Sequence, residues 1–149
     1  MGYRSDIAIV FIFKKKEQID EVLAVYQMHP AVQAHDLAKE WKVHDWGAMW
    51  GLTYYADGIK WYDTYEDVQG FEYMEKLVRT FADERGVDVE ETYPDGTHSL
   101  AHMFPYAYRK IRIGEEEEDT ENNGHHSDVA LCEELYERVS MRRELITNF

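Results

Sequence analysis

Tyr106, Tyr108, Lys110 and Arg112 stand at every second position within the stretch Met103–Ile113. That is the period of a β-strand, so two phenol rings and two cations project to one face. Aromatic platforms flanked by arginine stack bases and hold phosphates. The other parity, Ala107, Ile111 and Ile113, is expected to face a layer of helices, leaving the Tyr/Arg face open. Lys60 and Tyr62 from a hairpin are expected to join that face. So are Tyr136, Arg138 and Arg142 from a last strand, and Arg4 from the entrance to the first strand. The chemistry would be binding of a nucleotide or a short single strand. An ordinary solvated face, with its cations paired across strands to carboxylates, accounts for the same residues.

A second constellation is acidic. Glu115, Glu116, Glu117, Glu118 and Asp119 run together, and Glu121, His125, His126 and Asp128 follow. Carboxylates suit calcium or magnesium, and imidazoles suit zinc. The spacing has neither the alternating acids nor the sixth-position glycine of an EF-hand loop, so no metal is expected. A solvated run that contacts a basic partner fits better. His98 and His102 are four apart, but no glutamate follows the first, so the metalloprotease pattern is absent. Cys132 has no placed histidine partner. The chain has no phosphate-binding glycine loop, no nucleophile elbow and no Cys-x-x-Cys. No catalytic residue and no cofactor are expected.

The charge balance narrows the partners. The 149-residue chain carries a net charge of −14, and half of it falls in residues 114–128, which hold seven acids and no base. A duplex nucleic acid needs clustered Lys and Arg, so that class is excluded. The body is only mildly acidic, which argues against a mimic of DNA. The single cysteine cannot form an internal disulfide and fits a reducing compartment. No stretch is long and apolar enough for a membrane span.

The elements that must position these groups follow from periodicity. Asp6–Phe13 is apolar on both parities and reads as a central strand covered on both faces. Glu17–Met28 carries one apolar stripe, and His29–Pro30 interrupts it. Ala31–Trp41 reads as a second helical piece. Gly47–Tyr55 and Ile59–Tyr62 flank Asp57-Gly58, a hairpin signal. Asp63 starts a helix with Val68, Phe71, Met74, Val78 and Phe81 on one face, and Gly86 ends it. Pro94-Asp95-Gly96 marks a turn. Met103–Ile113 is a strand, 114–128 a mobile charged loop, and Leu135–Leu145 a last strand, with a helix over Cys132–Arg142 as the alternative. The order β-α-β-β-α-β-β predicts one α+β domain over residues 1–149. Two main helices should lie on one face of a mostly antiparallel four- to five-stranded sheet, a ferredoxin-like or related two-layer sandwich. The second parity of the first strand (Ala8, Val10, Ile12) needs a cover: the 87–102 segment, Ala31–Trp41, or a second copy in a homo-oligomer.

Three stretches carry a resemblance. Met1-Gly2-Tyr3-Arg4-Ser5-Asp6, Ile59-Lys60-Trp61-Tyr62 and Ile111-Arg112-Ile113-Gly114-Glu115 resemble small bacteriophage accessory proteins. The resemblance implies a protein made in the host bacterial cytoplasm. It would bind and block a host enzyme or defence component by protein–protein contact, or bind or sequester a nucleotide signal.

Overall fold

The computed structural model describes residues 4–85, 89–92, 94, 98–101, 103–116, 118–141 and 145–147. The chain is α+β. Five strands form one antiparallel open sheet: β1 (Ser5–Phe13), β2 (Lys42–Asp45), β3 (Trp50–Ile59), β6 (Tyr106–Gly114) and β7 (Thr120–His126), in the spatial order β2-β3-β1-β6-β7. Two small hairpins, β4 (Val89–Thr92) with β5 (His98–Ala101) and β8 (Val139–Met141) with β9 (Leu145–Thr147), form separate two-stranded sheets, and β9 lies close to β1 and β6. The helices are α1 (Lys16–Tyr26), α2 (Pro30–His35), α3 (Glu66–Arg85) and α4 (Val129–Arg138), with a 3-10 turn at Leu37–Glu40. The unit β1-α1-β2-β3-α3-β6 has the ferredoxin-like order, and β7 extends it at one edge. Among the described residues, no helix is long and apolar enough to cross a membrane.

The both-parity apolar run makes β1 the middle of the sheet. Ile7, Ile9, Phe11 and Phe13 meet Ile19, Val22 and Tyr26 of α1, Val32 of α2, and Val68, Phe71, Met74 and Val78 of α3. Trp41 and Trp61 join this core; the Trp41 indole donates to the Tyr26 hydroxyl, which donates to the Gly70 carbonyl. Ala8, Val10 and Ile12 lie on the other face with Ala107, Ile111, Leu131 and Leu135, and Trp46, Met49 and Cys132 pack at the margin. The cover for that parity is therefore α4 and the loop after β2. It is not the Ala31–Trp41 piece, which lies in the first core. All three residues are sealed within one chain, so the apolar face calls for no second copy.

Three sequence expectations change. Asp57-Gly58 does not turn a hairpin: both residues lie inside β3, and the real hairpin joins β2 to β3. Opposite β1 the register runs Ser5↔Ile59 and then Ile7↔Ala56, so β3 holds one extra residue, a bulge. Gly58 absorbs it at φ 62°. The Asp6 carboxylate accepts from the Gly58 amide at 2.8 Å, and an Arg4 Nη donates to its carbonyl at 2.7 Å. Second, the segment 114–128 is not one loop, because residues 120–126 pair with β6 from Ala107↔His126 to Ile113↔Thr120. Third, Leu135 lies on a helix instead of a last strand; Leu131 and Leu135, one turn apart, face the sheet together.

Candidate functional site

Antiparallel pairing puts directly opposed residues on the same face. Tyr106 opposes Phe13, Tyr108 opposes Phe11, Lys110 opposes Ile9 and Arg112 opposes Ile7. The expected open Tyr/Arg face is therefore the face packed on α1 and α3. Tyr106, Tyr108 and Lys110 are buried, and the Arg112 side chain is 11% exposed. Parity grouped these residues correctly, but the side was reversed. Alternation alone does not say which face carries the helices, and here both faces are covered.

Each group has a partner inside the fold. Lys110 Nζ lies 3.3 Å from Glu72 and 3.2 Å from Glu121, and sits 5.5 Å from the centre of the Trp61 ring. Arg112 forks onto Asp119 at 2.7 and 3.1 Å, reaches Glu121 at 2.8 Å and donates to the Ser5 hydroxyl at 3.1 Å. The Asp119 hydrogen bonds hold the Arg112 guanidinium above its ordinary range. Burial pushes the Glu121 carboxyl up, but Lys110 and Arg112 outweigh it and hold the group below the usual carboxylate range. Two cations thus meet three carboxylates, which leaves no positive charge there for a phosphate.

The remaining candidates lie elsewhere. Lys60 is exposed in the segment after β3, and Tyr62 stacks edge-on with Tyr65. Arg4 clamps the β3 bulge. Arg138 lies on the opposite side of the sheet, with its guanidinium 4.3 Å from the Trp46 ring centre and bonded to Glu134. Tyr136 is also on α4, 4.7 Å from the Arg109 guanidinium. Arg142 lies outside the described residues.

The acidic run forms a tight turn between β6 and β7. The Gly114 amide donates to the Asp119 carbonyl at 2.7 Å. Glu115 accepts the Arg4 amide at 2.7 Å, and Asp119 serves Arg112. Glu115, Glu116 and Glu118 are exposed, and Glu117 lies outside the described residues. His98 falls on a strand, and His102 lies outside the described residues. Among the described residues, no three His, Cys, Asp or Glu side chains gather as metal ligands.

A cleft of about 420 Å³ opens between α3 and the β6–β7 ladder. Ile9, Phe71 and Tyr108 line its apolar part; Glu72, Glu75, Lys76, Arg79, Lys110 and His125 line its polar part. His125 is the junction. Its Nε2 lies 2.6 Å from Glu75, and its Nδ1 lies 2.6 Å from the Tyr106 hydroxyl. With Nε2–H donating to the carboxylate, Nδ1 accepts from the phenol. Burial lowers the His125 pKa and Glu75 partly restores it. Burial raises Tyr106 to about 12. The carboxylate–imidazole–hydroxyl order is that of a catalytic triad. However, Tyr106 is buried and does not line the cleft, and both ring nitrogens are occupied. The arrangement ties β7 to α3. Sequence reasoning did not find Glu72 or Glu75, because nothing local marks two helix acids as partners of residues on β6 and β7.

A second cleft of about 380 Å³ lies across β7, lined by Arg109, His126, Cys132, Leu135 and Tyr136. Gly124 lies between the two clefts. A Cβ there would meet the Tyr108 carbonyl at 2.7 Å, so only glycine fits the close pairing.

Arg4–Ser5, Ile59 and Arg112–Glu115 meet at one end of the sheet. Ser5 pairs with both Ile59 and Gly114, Arg112 bonds Ser5, and the Arg4 amide bonds Glu115. Comparison with known proteins found no matching family, no matching curated protein and no matching solved structure.

Proposed function

We propose that this chain is a non-enzymatic binding protein that blocks a host enzyme or defence component by protein–protein contact, in the cytoplasm of a phage-infected bacterium. One observation carries the proposal: Lys110 and Arg112, the cations expected to hold an anionic ligand, are spent on Glu72, Asp119 and Glu121 inside the fold. The chain as a whole is strongly acidic, with a net charge of −14, and its carboxylates include the exposed Glu115, Glu116 and Glu118 at the β6–β7 tip. Such a surface steers toward a basic partner.

A nucleotide-binding or signal-sequestering role is the second reading. Its site moves to the α3 cleft, where Lys76 and Arg79 line the wall beside Tyr108. Glu72 and Glu75 on the same wall oppose an anion.

Affinity capture from bacterial lysate tests the leading reading. The wild type should retain a partner, and Glu115→Lys/Glu116→Lys/Glu118→Lys should weaken retention by roughly tenfold or more. Equal retention by the reversed variant would remove the tip from the interface. Thermal shift with mono-, di- and cyclic nucleotides should show no stabilisation. A shift lost in Lys76→Ala would move the function to the cleft.

A further inference from the structure

Strand β7 is an edge. Its seven residues pair with β6 on one side, and no described strand pairs with the other. Thr120, Asn122, Asn123, Gly124 and His126 are exposed, and at Gly124 that exposure is of main chain alone. Proteins blunt such edges with lysine, proline, bulges or short length. The opposite edge, β2, follows this rule with four residues that include Lys42. β7 has neither lysine nor proline, and its register with β6 is unbroken.

The edge is also polarised. Its first end carries Glu118, Asp119 and Glu121. Its second end carries His125 and His126 and lies beside Lys14, Lys15 and Lys16, which follow β1 where Phe13 pairs with Tyr106. Lys14 bonds Asp128 at 3.2 Å and Lys16 faces Asp20 at 3.9 Å, so Lys15 is the cation left there, with Glu17 two residues on in the first turn of α1. Seven residues span roughly 20 Å, which exceeds the screening length at physiological salt, so the two ends act separately.

We infer that β7 pairs antiparallel with β7 of a second copy of this chain, joining two five-stranded sheets into one of ten. A two-fold axis at Asn123 uses all seven residues. It sets Glu121 beside His125, Asn122 beside Gly124 and Thr120 beside His126 of the second copy. Within the paired residues no like charges face one another; just beyond them Glu118 approaches Asp128, whose charge Lys14 meets at 3.2 Å, and each acidic end meets the other copy's lysine end. Glu115 and Glu116 lie past the last paired residues, so the contact leaves them on the surface. This inference is independent of the proposed partner.

Sedimentation or light scattering of the full chain at micromolar concentrations tests it. The mass should be twice 17.7 kDa. Asn123→Lys puts like charges across the axis and should give a monomer with unchanged circular dichroism, whereas Asn123→Ser should remain a dimer. Glu118→Lys alone and Lys15→Glu alone should each weaken the dimer, because each then repels itself. Mixing those two variants should restore a dimer, because each end again meets its opposite. A monomeric wild type, a dimer that survives Asn123→Lys, or a mixture that stays monomeric would overturn the inference. A monomer whose β7 amides gain exchange protection only on adding a captured host protein would overturn it too, assigning the edge to that protein.

Discussion

Nε2 of His125 lies 2.6 Å from Oε1 of Glu75, and this one contact joins the edge strand β7 to helix α3. The same ring accepts the Tyr106 hydroxyl. Replacing His125 with leucine strands two groups at once: a phenol that has no water to turn to and a carboxylate already shared with Arg79. Leaving buried polar groups unmade costs about 2–3 kcal/mol. Urea unfolding of His125→Leu should show that loss with an unchanged m-value. A loss below about 0.5 kcal/mol would mean the contact is not maintained in solution.

The same ring sets a pH dependence. The folded-state pKa of His125 is depressed by burial, and that of His44 by burial, Lys42 and Arg138. The unfolded chain therefore takes up protons first as pH falls. Stability is then full above the ordinary histidine range and declines as pH drops from the unfolded value of about 6.5 toward the depressed folded ones. Melting temperature measured from pH 8 to pH 5 should fall on the acid side. His125→Gln should flatten part of that fall, and a profile unchanged by it would clear His125 of the effect.

Arg112 gives a test of geometry against charge. Its guanidinium serves Asp119, Glu121 and Ser5 together. Arg112→Ala leaves the half-buried Asp119 without its cation and Glu121 with Lys110 alone, and should cost about 3 kcal/mol in equilibrium unfolding. Arg112→Lys keeps the charge but loses the fork and should cost about half as much. Equal losses for the two variants would mean that the fork geometry, not the charge, holds the β6–β7 hairpin.

How much of this was legible before folding depends on what each segment buries. β1 declared itself because the seven successive positions Ile7–Phe13 are all apolar, and α3 because Val68, Phe71, Met74 and Val78 repeat at helical spacing. β7 was hidden, since Thr120–His126 contains no apolar residue and an edge strand needs none. α4 was ambiguous because only Leu131 and Leu135 mark its buried side, and two leucines four apart suit a helix or a strand. Asp57-Gly58 carried a true turn signal that Arg4 and Asp6 redirected into a bulge from 50 residues away. The candidate site suffered most. Tyr106, Tyr108, Lys110 and Arg112 were recognised as a set, yet the partners that neutralise them lie on α3 and β7.

The bulge makes a prediction of opposite sign. Asp57 lies near Asp6, and sharing a proton with Asp6, together with the charge of Asp6, raises the Asp57 pKa. An acid whose folded pKa is raised resists ionisation, so stability falls as pH rises through that value. Asp57→Asn removes the repulsion and can still donate to Asp6. The variant should melt slightly higher than wild type at pH 7, and the gain should vanish as pH falls into the carboxylate range. A variant that melts lower at pH 7 would show that the ionised Asp57 supports the bulge.

The second face of the sheet rests on very few side chains. Leu131 and Leu135 of α4 are 4% and 2% exposed, and they are what α4 sets against Ala8, Val10 and Ile12. Leu135→Ala leaves Leu131 as the one buried leucine that holds α4 on the sheet. Large-to-small changes of this kind cost about 2–5 kcal/mol, with the larger values where the site cannot collapse. A ten-residue helix can lift instead of collapsing, so the expected outcome is local. The overall loss should be near the low end, about 2 kcal/mol, while amide exchange in α4 quickens far more than in β1. A hydrophobic dye should bind the variant and not the wild type, because the apolar parity of β1 becomes accessible. If exchange quickens equally in α4 and β1, the helix is part of the cooperative core and not a cover over a finished sheet.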